Sequence, residues 1–126
     1  MINPESKYRG SKEYHLVFCK LIATAQNRTT VSYVEVAAIL GIYTPGNHMA
    51  KQVGLVLGEI SQDEHSAGRP MLSAVAVAVN GRPSKGFYEL ARILQKLSSS
   101  NGELELAFWK DERKSVYEIW TNSKNQ

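Results

Sequence analysis

Apolar positions recur with helical spacing along most of the chain. After Ser11, a plausible N-cap, Tyr14, Val17, Phe18, Leu21, Ile22 and Ala25 fall at i, i+3, i+4, i+7, i+8 and i+11. That spacing predicts a helix with one apolar stripe, ending near Gln26–Asn27. Arg28–Val31 then reads as a short extended link. Ser32 and Glu35 form an S-x-x-E capping box, predicting a second helix with Tyr33, Val36, Ala37 and Leu40 on one face and a stop at Gly41. Thr44-Pro45-Gly46 marks a turn. A third helix is expected from about Asn47 to Ile60, with Met49, Val53, Val56, Leu57 and Ile60 inward. Gly54 and Gly58 interrupt it four residues apart, and each costs about 1 kcal/mol against alanine, so close packing against a neighbour is the expected compensation.

The second half is less periodic. Ser61–Pro70 is polar and is read as a loop, and Met71–Val79 is rich in β-branched residues and is read as a buried strand. Asn80-Gly81 is a strong turn signal, and Arg82–Gly86 reads as a loop or short wing. Phe87, Leu90, Ala91, Leu94 and Leu97 predict a fourth helix. Leu106, Trp109, Arg113, Val116 and Trp120 predict a last one, from about Leu104 to Trp120. The organisation expected is a flexible N-terminus over 1–10, one α+β domain over 11–120 and a flexible C-terminus over 121–126.

Composition narrows the class without choosing a function. The chain has 126 residues, 43% hydrophobic and 21% charged, which excludes disordered and collagen-like sequences. Its longest nearly uncharged apolar run, Met71–Val79, is far short of the ~20 residues needed to cross a bilayer. The polar start lacks the apolar core of a signal peptide, so no membrane association and a cytoplasmic location are expected. One cysteine, Cys19, excludes an internal disulfide and any multi-cysteine metal site. Lying in the first amphipathic helix, it reads as a small hydrophobe. No histidine stands at ligand spacing from another, no phosphate-binding glycine fingerprint is present, and no cofactor is expected. The formal charge of +3 permits nucleic acid as a partner. The surplus lies in residues 1–100, with 11 Lys/Arg against 7 Asp/Glu, whereas residues 101–126 carry 4 against 5.

Two helices joined by a tight turn, Ser32–Leu40 and Asn47–Ile60, have the shape of a helix-turn-helix, and the strand and turn after them could be a wing touching phosphate. The segments Thr30–Ala37, Gly41, Ala50-Lys51-Gln52-Val53-Gly54, Pro70 and Gly86-Phe87 resemble, in order and spacing, the winged-helix domain of the alkylguanine-DNA alkyltransferase family and its non-catalytic alkyltransferase-like relatives. The likeness spans Val17–Phe87. It implies a winged-helix-like fold with added C-terminal helices and a duplex-DNA partner, met by the third helix and the Asn80–Gly86 turn. Lys51 falls where the family keeps an arginine that fills the gap left by an extruded base. Tyr33 falls where the family has a tyrosine beside the flipped nucleotide. Arg28, His48, Arg82 and Lys85 complete the expected DNA-contacting set.

The chain departs from that family at the reaction centre. Pro70-Met71-Leu72-Ser73 aligns with the nucleophile motif Pro-Cys-His-Arg. The Met71 thioether has no ionisable proton and cannot become an alkyl-accepting thiolate. A non-catalytic DNA-binding protein is therefore the leading expectation. Two alternatives stay open. Asp63, Glu64 and His65 with Ser73 would compose an acid–base site if brought together. The aromatic last helix, through Trp109 or Trp120, would anchor a protein partner if a tryptophan stayed exposed, in a regulatory domain without DNA binding.

Overall fold

The computed structural model describes residues 7–124 of the chain, with side chains to residue 121. In chain order the elements are α1 (Lys12–Gln26), β1 (Val31–Ser32), α2 (Tyr33–Ile39), α3 (Asn47–Ser66), a 3-10 turn (Leu72–Val75), β2 (Ala76–Val77), α4 (Lys85–Ile93) and α5 (Gly102–Lys124). The class is α+β, with five helices and one two-stranded sheet. The strands pair in parallel, Val31 with Ala76 and Ser32 with Val77.

The helix starts follow local chemistry. Ser11 accepts the Tyr14 N–H at 3.1 Å to cap α1, and Ser32 accepts the Glu35 N–H at 3.1 Å to cap α2. Each satisfies a first-turn amide that has no partner within the helix. Gly41 follows α2 at φ +79, a conformation that needs no β-carbon. The apolar stripes of α1, α3 and α5 converge on the segment Met71–Val77, whose seven side chains are all buried. Val17, Leu21, Val56, Ile60, Leu72 and Val116 are among the fully buried side chains of this core. Each contributes about 1.5–3 kcal/mol by leaving water.

Several expectations are corrected. Ser61–Ser66 is not a loop but the continuation of α3. Its inward residues are polar, and Ser61 and Glu64 are buried because each has a partner: Ser73 for Ser61, and a two-pronged Arg69 pair at 2.8 and 2.9 Å for Glu64. Met71–Val79 is not one strand. Only Ala76–Val77 is extended in a ladder, and Leu72–Val75 coils as a 3-10 turn. Helix α4 spans Lys85–Ile93, beginning and ending earlier than its apolar spacing suggests, because Gln95 adopts φ +62. Cys19 is exposed on α1, 3.6 Å from the His15 ring, and is not a core residue. Among the described residues Gly54 and Gly58 have no close neighbour: a β-carbon at either would meet no atom of another element within 4 Å.

The chain before α1 is part of the fold from Lys7 onward. The Glu59 carboxylate, 6% exposed, accepts the backbone N–H groups of Lys7 (2.9 Å), Tyr8 (3.1 Å) and Arg9 (2.7 Å). Arg9 donates to Asp63, which also accepts the Tyr14 hydroxyl, and the Tyr8 hydroxyl donates to Gln52. Burial and Asp63 together push the Tyr14 hydroxyl well above the usual phenol range. This strap lies along α3. The expectation of flexible ends otherwise concerns residues 1–6 and 125–126, which lie outside the described residues, while α5 runs past Trp120 to Lys124.

Two stability changes are expected. Glu59→Ala leaves three amides without their acceptor and should cost about 1–3 kcal/mol in urea unfolding, with faster tryptic cleavage at Lys7 and Arg9. Gly54→Ala should stabilise by about 1 kcal/mol, because helix propensity rises and no atom is displaced. A destabilisation in the second variant would show that the glycine is in contact after all.

Candidate nucleic-acid interface

The α2–α3 unit presents its turn and the first half of α3 to solvent. Asn47, His48, Ala50 and Lys51 are exposed there, while Met49, Gln52 and Val53 turn inward. Beside them runs the segment linking β2 to α4. Its tip is closed by Ala78 N–H to Arg82 O at 2.8 Å, Gly81 N–H to Ala78 O at 2.9 Å and Arg82 N–H to the Asn80 side-chain oxygen at 3.0 Å. Gly81 sits at φ +79, the left-handed conformation that the Asn-Gly pair signals. The tip is therefore a tight turn, and β2 pairs only with β1. Among the described residues no antiparallel hairpin follows it.

Tyr33 joins the two halves. Its hydroxyl accepts the Ser84 N–H at 2.8 Å and lies 3.4 Å from the Ser84 hydroxyl, tying the start of α2 to the start of α4. On either side of Tyr33 lies a hollow. The first, about 180 Å3, is bordered by Val34, Gly46, Met49 and Val79. The second, about 280 Å3, runs between α3 and α4 past Gly54, Leu57, Gly58, Phe87 and Leu90. Tyr33, Ala50 and Val53 line both, so the two form one groove along α3.

The expected basic residues divide between two places. Lys51 follows Ala50 on α3, and Lys85 sits between the groove-lining Ser84 and Gly86; both are exposed, and neither lines the hollows. His48 is exposed in the first turn of α3, beside groove-lining Met49. Arg82 is close enough to Tyr88 to oppose the rise in that hydroxyl's pKa, which burial causes and Glu105 increases. Arg28 stands apart. It and Arg113 together oppose the burial-driven rise at Tyr117, whose hydroxyl donates to Thr29 O at 2.8 Å. Arg28, at φ +53, therefore belongs to the α1–α5 side.

Met71 is fully buried, with its N–H donated to the Glu112 carboxylate at 2.9 Å, and Glu112 also pairs with Lys96 at 2.6 Å. The charged trio is separated by its partners. Asp63 is held by Arg9 and Tyr14, Glu64 by Arg69, and Ser73 by Ser61, while His65 borders a different open hollow with Arg69 and Lys96. Trp109 is buried and donates its indole N–H to Ala74 O at 2.8 Å, so it is a core residue and not an exposed anchor. Trp120 is half-buried, edge-on to Phe18 and beneath the Arg69 guanidinium. Among the described residues no group of three or more His, Cys, Asp or Glu is placed to hold a metal ion, and no helix is long and apolar enough to cross a membrane.

Sequence reasoning did not single out Ser73 as a groove residue, nor Ser84, Glu89 or Ile93. The four-residue spacing of Gly54 and Gly58 was the one available signal, since unfilled positions one turn apart leave a channel along a helix. No protein-family model matches the chain, and no curated protein or solved structure matches it.

Proposed function

We propose that this is a non-catalytic duplex-DNA-binding protein of the alkyltransferase-like kind, contacting DNA through the first half of α3 and the Asn80–Gly86 segment. One observation carries the reading: His48 and Lys51 are exposed on the first half of α3, and Arg82 and Lys85 are exposed on the segment whose Ala78 and Val79 border one hollow together with Met49 and Ala50 of α3. In this reading α2 and α3 act as the helix-turn-helix of a winged-helix-like fold, with the Ala78–Arg82 turn in the position of a wing. Lys51, Arg82 and Lys85 neutralise phosphates, and α3 sits in a groove of the duplex. Lys51 supplies a point charge and lacks the flat stacking surface of an arginine, so it anchors backbone better than it replaces a base. Buried Met71, with no proton to lose, accepts no alkyl group. Arg28 drops out of the contact set because it stands on the α1–α5 side.

A second reading, a protein-interaction module, is favoured by the apolar side chains along the same groove, where Val34 is 55% and Val79 102% exposed. Salt dependence separates the two. Three phosphate contacts, from Lys51, Arg82 and Lys85, imply a log–log slope of about −2.7, hence a loss of affinity on the order of 40-fold between 50 and 200 mM salt in fluorescence anisotropy with a labelled duplex. Absent or salt-independent binding removes the DNA reading. Lys51→Glu should weaken binding about tenfold and make the slope shallower by about one. Unchanged affinity would place the contact elsewhere on the surface.

A further inference from the structure

The part of the groove between α3 and α4 has a chemistry that phosphate contacts do not use. Its α3 wall includes Ala50, Gly54 and Gly58, one turn apart, beside Val53 and Leu57. Alanine at 54 or 58 would meet no atom within 4 Å and would favour the helix, so the glycines do not serve internal packing. They leave the helix backbone open to a flat guest. Facing them are Phe87, Leu90 and Ile93 of α4, the last 75% exposed in spite of being a large apolar side chain.

Four polar side chains break this apolar lining: Tyr33 and Ser84, which bond each other, and Ser73 and Glu89. Ser73 is 6% exposed; its Oγ accepts from the Ser61 hydroxyl at 2.7 Å, and its N–H donates to Ser61 Oγ at 3.1 Å. The two hydroxyls partner each other, which leaves Ser73 Oγ with spare hydrogen-bonding capacity, and Ser73 lines the groove. A buried hydroxyl that can both donate and accept suits a ligand hydroxyl, which can do the same. Glu89 is exposed on α4. None of the four ion pairs among the described residues involves it, and Lys85, one turn earlier on the same helix, does not come within ion-pair distance. A free carboxylate on the rim of an apolar slot selects a cation.

We propose that this slot binds a small aromatic amine, its ring between the α3 glycines and Phe87–Leu90, a ring oxygen at Ser73 and its ammonium at Glu89. The site does not depend on DNA binding, and the two readings fail separately. Tyramine is the probe, followed by amide NMR of the nitrogen-15-labelled chain, in which Gly54, Gly58 and Gly86 report from the walls of the slot. Tyramine should shift these three amides saturably. Removing the ammonium (4-ethylphenol) or the oxygen (phenethylamine) should weaken binding, and the charge-reversed 3-(4-hydroxyphenyl)propionate should bind worst. Glu89→Gln should cost tyramine about fivefold and leave 4-ethylphenol unchanged. Gly58→Leu fills the slot while raising helix propensity, so the fold should persist and the shifts vanish. The proposal is overturned if the three amides do not move at about 10 mM tyramine, a concentration that would reveal even millimolar affinity. It is equally overturned if the carboxylate analogue binds as well as tyramine, or if Gly58→Leu, still folded by its amide spectrum, binds tyramine unchanged.

Discussion

The fold turns on burying a stretch of chain that has almost no regular structure of its own. Met71–Val77 crosses the core with every side chain out of water, yet only two of its residues belong to a ladder. Backbone groups in such a place must find partners or cost several kcal/mol. Three of them are met by side chains: Glu112 takes the Met71 N–H, Ser61 takes the Ser73 N–H, and Trp109 donates to Ala74 O. Those partners come from α3 and α5, so the two longest helices are fixed in place by polar bonds as well as by apolar contact. The register of α3 against this segment then decides which of its residues look into the groove.

This explains why some of the protein was legible from residue order and some was not. Helices α1 and α2 announce themselves through Ser11, Ser32 and a regular apolar stripe, all local signals. The last six residues of α3 carry Ser61, Asp63 and Glu64, which look like loop residues until Ser73, Arg9 and Arg69 are placed beside them. Apolar periodicity has no means of seeing a helix face that is buried by polar pairing. Met71–Val77 fails for the opposite reason: a continuous apolar run has no period, and strand, helix and 3-10 turn all satisfy it.

The site shows the same division. Lys51 and His48 were placed by the helix that carries them, and Tyr33 by its cap. That Ser84, the neighbour of Lys85, meets Tyr33, and that Arg28 stands near Tyr117 instead, depends on how the chain is brought together across the β1–β2 pairing, which has no sequence signature. Gly54 and Gly58 were visible and misleading. Their spacing speaks for closeness to a neighbour, and among the described residues none lies within 4 Å of where a β-carbon would be.

The pairing of Val31 with Ala76 has a consequence for how the molecule comes into being. It closes a ring of chain that contains the whole of α2 and α3. Forming that ring requires distant stretches to meet before any ladder bond rewards them, which places the entropic cost early and the reward late. The helix pair is therefore no portable cassette: cut out of the ring, it would lose the strand contact that anchors one end and Ser73, which seats the other. Folding should accordingly proceed as one cooperative event, with the groove appearing only when the ring has shut.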